Sequence, residues 1–529
     1  MSSVSCEVMI VGAGPTGLAL AAELAGAGIQ CRVIERRAEP SPHSRAFTVM
    51  SYTLELLDMR GVADEMVSRG LPSRYGAIGD GKRYLDFGRL DSRFPFMLLL
   101  PQHDTEEILE AWAIQSGAQI LREARVTGVA QDDNGVSVEI EHAGRTWTER
   151  ALYLVGCDGV HSSVRKLADI PFEGKAYDSS LIIADVHLRN PPDPAVHARI
   201  SRRGMGAVFP FPKELFRLIL LDHERMQVPV TEPVTLPEIE ASARALLGTD
   251  LGIHDPVWLS RFRSEQRQAA HYRQNRIFLA GDAAHTHVPS GGQGLQMGVQ
   301  DAFNLGWKLA AHIHGRAPEG LLDSYEKERY PIAAETLRQT DISFRYETSR
   351  SVWVSVARRA AMQLMRLKGV QKSVIDNFAG FRLRYTPPGA ASSRFVGRRL
   401  PDITVGSPAE RTTRVHELLR QRLFVLVDQT SDGVFATAVA GQWVDRLRVV
   451  RGRVSTRSEL PTGFLIRPDG IVAWASSKRD VPGLRSALRQ WCGESMVTPP
   501  PVAREQALSK EPNIRLLIPG EAGSFRRNP

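Results

Sequence analysis

The sequence predicts an α/β fold in several domains, and three observations carry that expectation. An apolar, partly β-branched run at 7–11 leads straight into Gly12-Ala13-Gly14-Pro15-Thr16-Gly17 and a helix-prone stretch. Two further apolar strands, at 152–156 and 276–280, run into Cys157-Asp158-Gly159 and Gly281-Asp282. Between them, residues 180–270 lose the strand–helix alternation and read as a sheet of their own.

Bulk composition narrows the class. The chain has 529 residues, 43% hydrophobic and 24% charged, which suits a soluble globular protein of several domains rather than a disordered or fibrous one. Cys6, Cys31, Cys157 and Cys492 stand far apart without a CxxC pair. That spacing argues against a disulfide framework or a zinc site and fits a reducing cytosol. The N-terminus has no basic segment before its apolar run, and no apolar run approaches the roughly 18 residues of a membrane span. The expectation is a cytoplasmic protein without a membrane span.

The first element is a phosphate cradle. Gly12 permits a tight turn, Gly14 lets backbone approach a pyrophosphate, and Gly17 lets helix and strand pack closely. The helix start presents free N–H groups and a positive dipole end. Pro15 is tolerated there because first-turn N–H groups have no helical partner. A second strand, 29–34, ends in Glu35, an acceptor for ribose hydroxyls. The glycine fingerprint alone does not separate FAD from NAD.

The later strands supply the distinction. Asp158 and Asp282 each end a strand, where ligands of open α/β sheets sit, and each could equally cap the following helix. After Gly281-Asp282 comes a loop, Pro289-Ser290-Gly291-Gly292-Gln293-Gly294-Leu295, that opens a long helix. Its N–H groups favour negative charge on a ligand. His285 and His287 share this region, but a zinc site wants three or four convergent ligands.

GxGxxG, Asp-Gly and Gly-Asp in this order resemble the fingerprints of the single-component FAD-dependent aromatic hydroxylases, the class A flavoprotein monooxygenases. The likeness is greatest to the branch that acts on phenols and aromatic polyketides. It implies a Rossmann-type FAD-binding domain (1–72, 100–180, 272–345) with an interleaved β-sheet substrate domain (73–99, 181–271). A helical connector (346–400), a thioredoxin-like domain (401–498) and a tail (499–529) would follow. It also implies FAD as cofactor, NADPH or NADH as transient cosubstrate, and O2, with oxygen transfer through a flavin C4a-hydroperoxide.

By this resemblance Gly12, Gly14, Pro15, Thr16, Gly17, Glu35, Arg36, Arg45, Gln102, Val126, Asp158, Gly159, Gly281, Asp282, Gly294 and Leu295 contact FAD. Pro289, Gly291 and Gly292 line the flavin reaction face. Arg165 is a phosphate or structural partner, and His285 is structural or flavin-adjacent. One departure stands out: the family's Asn in GxNxG is Gln296 here. No side-chain nucleophile or metal is expected. Other oxygenations on the same fold remain open, namely epoxidation, Baeyer–Villiger oxidation or antibiotic inactivation, as does an FAD-fold binding protein without turnover.

In the middle sheet, Phe209, Phe211, Arg217 and Ile219 are candidates to line an apolar substrate pocket, although each could be ordinary sheet core. Arg217 and Ile219 are two apart and would share a strand face. Tyr325-x-x-Glu328-Arg329-x-Pro331 matches a family string expected on a helix packed against the FAD domain. Residues 332–390 read as helical, with Met362 and Met365 at a core edge. The C-terminal unit has a hairpin around Asp469-Gly470 and no CxxC, so thiol–disulfide chemistry is not expected.

Charge is uneven along the chain. Residues 351–529 hold 29 Lys/Arg against 14 Asp/Glu, a net +15, which leaves −7 on residues 1–350 of a total of +8. No aromatic-interleaved basic motif accompanies that charge, so nucleic acid is not the expected partner. The expectation is basic helices covering an acidic flavin domain, with Arg398 and Arg399 as a possible lure for NADPH phosphates. The protein partner set is a small aromatic substrate, in a monomer or homodimer.

Overall fold

A computed structural model describes residues 5–41, 46–77, 79, 84–288, 291–387, 389, 393–406, 412–455 and 460–495. Arg45, Pro289 and the tail 499–529 lie outside the described residues.

The first sheet runs Arg273–Gln274, Ile277–Leu279, Arg145–Gly156, Cys6–Val11, Cys31–Ile34, Gln119–Leu121. Four neighbouring pairs are parallel: Cys6–Val11 with both Arg145–Gly156 and Cys31–Ile34, Arg145–Gly156 with Ile277–Leu279, and Cys31–Ile34 with Gln119–Leu121. A parallel strand is covered on both faces, which explains why 8–11 is apolar throughout rather than alternating. Helix Pro15–Ala25 crosses between the first two strands. The first strand is central, and the chain leaves it in opposite directions on its two sides. This is a topological switch point, where a crevice opens at the carboxyl ends of the strands. Val11, Ile34, Gly156 and Leu279 end there side by side, so Gly12, Glu35, Asp158 and Asp282 converge on one edge.

The second sheet is antiparallel, in the order His197–Ile200, Gly204–Pro210, Leu215–Asp222, Phe172–Leu188, Ile253–Ala269, His285–Thr286. One face packs helix Leu236–Leu247 through Leu218, Leu220, Ile239 and Leu246. The other face carries Ile219 and Leu221 against Val288 and Phe344. The edge strand His285–Thr286 follows directly from Gly281-Asp282, so the two sheets meet at that motif.

The C-terminal unit is a four-stranded sheet, Leu447–Arg451, Phe424–Asp428, Gly463–Ile466, Val472–Ser476. Its first pair is parallel, the others antiparallel, and helix Val481–Cys492 packs on it, as in a thioredoxin-like fold. Its aromatic core (Phe435, Trp443, Trp474, Trp491) takes in Trp307 from the long helix Gln293–Ile313, which welds the unit to the rest. All four cysteines are free and buried, and burial pushes the Cys492 thiol well up, away from reactivity.

The basic third divides in two. Arg399 grips Glu55 with two bonds of 3.0 and 2.8 Å, Arg414 pairs with Asp58, and Arg467 with Glu328 at 2.5 Å. These pairs tie the C-terminal part to acids of the first 350 residues. The lysines and arginines of helices Val352–Leu364 and Lys368–Phe378 take almost no part in this interface, so the covering is done by the arginines that follow those helices. Arg399 also contradicts its expected place near a nucleotide groove. Its side chain is 9% exposed and its guanidinium sits over the Phe381 ring, so it cannot steer a soluble phosphate. Arg399→Glu is therefore expected to destabilise the protein by about 3 kcal/mol, because it places a second acid against buried Glu55. NADPH KM should stay unchanged; a thermal melt and an NADPH titration of the FAD-loaded variant check both halves.

Candidate active site

The glycine loop closes tightly. Gly12 has φ +104°, and a Cβ there would lie 2.5 Å from the Cys157 carbonyl oxygen of the neighbouring strand end. A Cβ on Gly17 would lie 2.0 Å from the Gly12 oxygen. Both positions demand glycine for reasons internal to the protein. Gly14 is different: its backbone is extended (φ −83°, ψ 179°), and a Cβ there would meet nothing within 4 Å. The space at Gly14 opens at the start of helix Pro15–Ala25, which no side chain caps. An open cradle beside uncapped N–H groups fits a pyrophosphate.

Glu35 is 4% exposed; it accepts from the Ala13 N–H at 2.7 Å and from Arg37, fastening the glycine loop to the second strand. Burial works to raise its pKa, but these hydrogen bonds and the Arg37 charge outweigh that and hold it below the usual carboxylate range. Arg36 is exposed beside it, and Val126 is core.

The two aspartates separate in role. Asp158 accepts from the Ser162 hydroxyl (2.5 Å) and the N–H groups of Ser163 (2.6 Å) and Val164 (3.2 Å), so with the N-cap Ser162 it closes the start of helix Ser163–Leu167. Burial shifts its carboxyl upward. Asp282 is exposed and makes no hydrogen bond among the described residues. Gly159 lies in the turn after Asp158 with φ +77°. Arg165 is 4% exposed and donates to the carbonyls of Ala283 (2.8 Å) and Val160 (2.8 Å). It thereby acts as a structural link from the Asp-Gly turn to the Gly-Asp turn.

The Gly-Asp turn rests on a buried ionic cluster. Asp301 accepts from the Gly281 N–H (2.9 Å), His285 Nε2 (2.7 Å) and Arg329 Nε (2.5 Å). Tyr325 Oη donates to the Leu279 carbonyl (2.8 Å). Glu328 receives Lys308 (2.7 Å) and Arg467. Tyr325, Glu328 and Arg329 of this string thus support the strand, the C-terminal unit and the turn in that order. Thr16 nestles where Cβ atoms on Gly281 and Gly298 would be 2.5 and 2.1 Å from its hydroxyl oxygen, so the first helix and the helix Gln293–Ile313 meet at this turn. His287 Nδ1 bonds the Val288 carbonyl at 2.7 Å.

Gly292 (φ +63°) starts helix Gln293–Ile313, again without a side-chain cap. Gln296 is 2% exposed and fully engaged: Nε2 donates to the carbonyls of Thr48 (2.7 Å) and Gly292 (3.2 Å), and Oε1 accepts from the Met50 N–H (3.1 Å). The longer amide therefore spans from the flavin-type loop to the strand Thr48–Val49. Gln102, at the start of helix Gln102–Gln115, holds the chain two residues before that strand, accepting from the Ala46 N–H at 2.9 Å. Gln296→Ala strips partners from buried backbone groups at about 1–3 kcal/mol each. It is expected to weaken flavin retention at least about tenfold, read as FAD lost on gel filtration.

Phe47 stands next to that strand, a residue that sequence reasoning passed over. Its ring lies 4.7 Å from Phe209 and 6.1 Å from Phe211. Arg217 is completely buried, grips Asp185 at 2.8 and 2.7 Å, and stacks on Phe47, Phe211 and Trp258. Its charge is spent on Asp185, so it stiffens the aromatic wall. Ile219 packs with Val288, one residue before the loop. No sequence pattern marks Phe47; only the pairing of Thr48–Val49 with Met97–Leu99 brings it to the wall.

An open parallel sheet with a glycine cradle and an exposed aspartate at the switch point, flanked by a second sheet that carries Phe209 and Phe211, fits a dinucleotide-binding protein. The comparisons with known proteins specify it further. Residues 5–340 match the family model described as FAD binding domain, and residues 393–495 match aromatic-ring hydroxylase, C-terminal. The 12-dehydrotetracycline 5-monooxygenase/anhydrotetracycline 6-monooxygenase of Streptomyces rimosus is 37% identical over 92% of this chain and 99% of its own length. The rifampicin monooxygenase of Streptomyces venezuelae is 36% identical over 92% of this chain and 98% of its own. The solved anhydrotetracycline hydroxylase from Streptomyces rimosus superposes with a TM-score of 0.83 at 36% identity, covering 93% of this chain and all of that one. The chain belongs to the FAD-dependent aromatic-ring hydroxylase family, and it is an FAD-dependent monooxygenase.

Proposed function

We propose that this enzyme hydroxylates a phenolic ring of a fused aromatic polyketide, in the cytoplasm, as a monomer or homodimer. The ring C–H becomes C–OH, NAD(P)H is oxidised, and the second oxygen atom of O2 leaves as water. The observation that carries the reading is the aromatic cluster of Phe47, Phe209 and Phe211, in which Phe47 immediately precedes Thr48, whose hydroxyl oxygen would lie 2.7 Å from a Cβ on Gly292. The anhydrotetracycline and rifampicin monooxygenases, similar over nearly the same length, support the substrate class.

Bound FAD supplies hydride acceptance and dioxygen activation. The protein supplies position. Gly14 and the first-turn N–H groups would hold the pyrophosphate at the helix dipole, with Gly12 and Gly17 closing the loop that makes room for it, Pro15 pre-setting the first turn and Thr16 beside it. Glu35 and Arg36 flank the adenosine ribose, and Asp282 takes ribityl hydroxyls. Gly291, Gly292, Gly294 and Leu295 present N–H groups where negative charge develops on the flavin. Gln102, Val126, Asp158, Gly159 and Arg165 shape the loops around them. Phe209, Phe211 and Ile219, with Phe47, sandwich the substrate ring and keep water out; Arg217 braces them. The domain limits are those given from the sequence, with the FAD-binding part in three pieces.

The test is direct. FAD-loaded enzyme in air should consume NADPH faster when polyphenolic fused-ring compounds are added, and give a product one oxygen atom heavier. NADPH consumption indifferent to every such compound, or a product of unchanged mass, overturns the reading.

A further inference from the structure

Helix Val352–Leu364 is apolar on both sides, with half-buried Val354, Ala361 and Met362 facing inward. Its inward positions include Arg358, 8% exposed, which donates to the Tyr346 carbonyl and stacks on the Tyr346 ring. Its outward positions are apolar: Val352 is 55% exposed, Trp353 82%, Val356 51% and Leu364 55%. At about 100° per residue these four and Ala360 fall within an arc of about 120°, interrupted by one exposed polar residue, Gln363. Leu367, just past the helix, continues the patch at 56%. Isolated exposed apolar residues need no explanation, but a contiguous stripe on one helix does.

The rim of that stripe is basic. Exposed Arg359 stands at its edge, and exposed Arg366 and Lys368 follow at the helix end. From Thr348 to Ile375 the chain contains six Lys/Arg (Arg350, Arg358, Arg359, Arg366, Lys368, Lys372) and no acid. A stripe with Trp and Leu on one side and cations beside it matches a helix lying in the interface of an anionic bilayer. Charge decides against the other occupants. A second copy docked face to face would set basic rim against basic rim. The tail 499–529 is itself net basic, with five Lys/Arg against three acids.

The patch is joined to the active site. The next helix, Lys368–Phe378, ends with the Phe378 ring 2.9 Å from where a Cβ on Gly291 would be, and its carbonyl accepts from Gln293. Docking would set the loop that carries Gly291 one helix away from the lipid surface, where flat apolar aromatics concentrate.

We infer that the outward face of helix Val352–Leu364 docks this enzyme on an anionic lipid surface. Vesicle binding is read without turnover, so it succeeds or fails independently of the hydroxylase reading. The FAD-loaded full chain is floated with phosphatidylcholine vesicles and with phosphatidylcholine–phosphatidylglycerol vesicles, at low and high salt. Binding is expected to the mixed vesicles alone and to weaken at least about tenfold at high salt. Trp353→Ser/Leu364→Ser and Arg359→Glu/Arg366→Glu should each abolish it while FAD content, melting temperature and turnover of a water-soluble phenol stay as in the wild type. A blue shift of tryptophan emission on mixed vesicles should disappear with Trp353→Ser. Absence of flotation, flotation unaffected by either double variant, or a dimer in light scattering that Trp353→Ser/Leu364→Ser dissociates would overturn the inference.

Discussion

Arg329→Met is expected to lower the melting temperature on the order of 10 °C, which corresponds to about 3–5 kcal/mol for stranding a buried charge. Arg329 and Asp301 are both completely inaccessible. Burial alone would push the Asp301 carboxyl up, but the Arg329 and His285 charges and the hydrogen bonds overcome it and hold the pKa down at about 2. With its folded pKa below the ordinary value of 3.8, Asp301 contributes stability that is complete above that value and fades as pH falls towards 2. Removing the guanidinium reverses the sign: the carboxyl pKa rises above its unfolded value, so the variant gains relative stability as it protonates. The gap between wild type and variant should therefore narrow as pH falls from about 3.8 towards about 2. Thermal melts at both values check this, and a gap independent of pH would count against a charged Asp301. Because Asp301 also holds the Gly281 N–H, the variant should lose FAD more readily as well.

Gly14→Val should leave the fold intact and remove the flavin. The Gly14 backbone is extended, which valine tolerates, and among the described residues no atom lies within 4 Å of its Cβ position. The side chain would instead fill the space reserved for the pyrophosphate. Loss of two charge-assisted hydrogen bonds at about 1.5–3 kcal/mol each weakens FAD about 100-fold or more. Gly17→Ala supplies the contrast. Its Cβ collides with the Gly12 carbonyl, so both FAD affinity and melting temperature should fall. The visible flavin spectrum and a thermal melt of the two purified variants separate these outcomes. A yellow Gly14→Val protein with wild-type FAD affinity would sink the cradle assignment.

Much of this was legible in the residues. The glycine spacing, the acid at the end of the second strand, and the two later Gly/Asp strand ends are local patterns, because a turn or a strand end constrains its own neighbours. The same holds for the separate sheet, whose strands are apolar runs bounded by turn residues. Asp158 shows where locality stops. As a strand-end aspartate it reads like Asp282, yet one helps close the start of a helix and the other stays exposed. The difference lies in whether the following N–H groups curl back to the carboxylate. Arg217 and Arg399 show the same limit: each was expected to face a ligand, and each is spent on a buried acid that is distant in sequence.

The sequence by itself determined the nucleotide-binding architecture, the oxidoreductase class and the absence of a CxxC pair, since these depend on short patterns of residue type. Only the tertiary structure decided which charges pair, because ion pairs such as Glu55–Arg399 and Glu328–Arg467 join residues more than a hundred positions apart. It also decided what the basic third does. Packing consumes Arg399, Arg414 and Arg467 at the interface and leaves Arg359 of helix Val352–Leu364 beside an apolar stripe, and a charge count cannot tell one from the other.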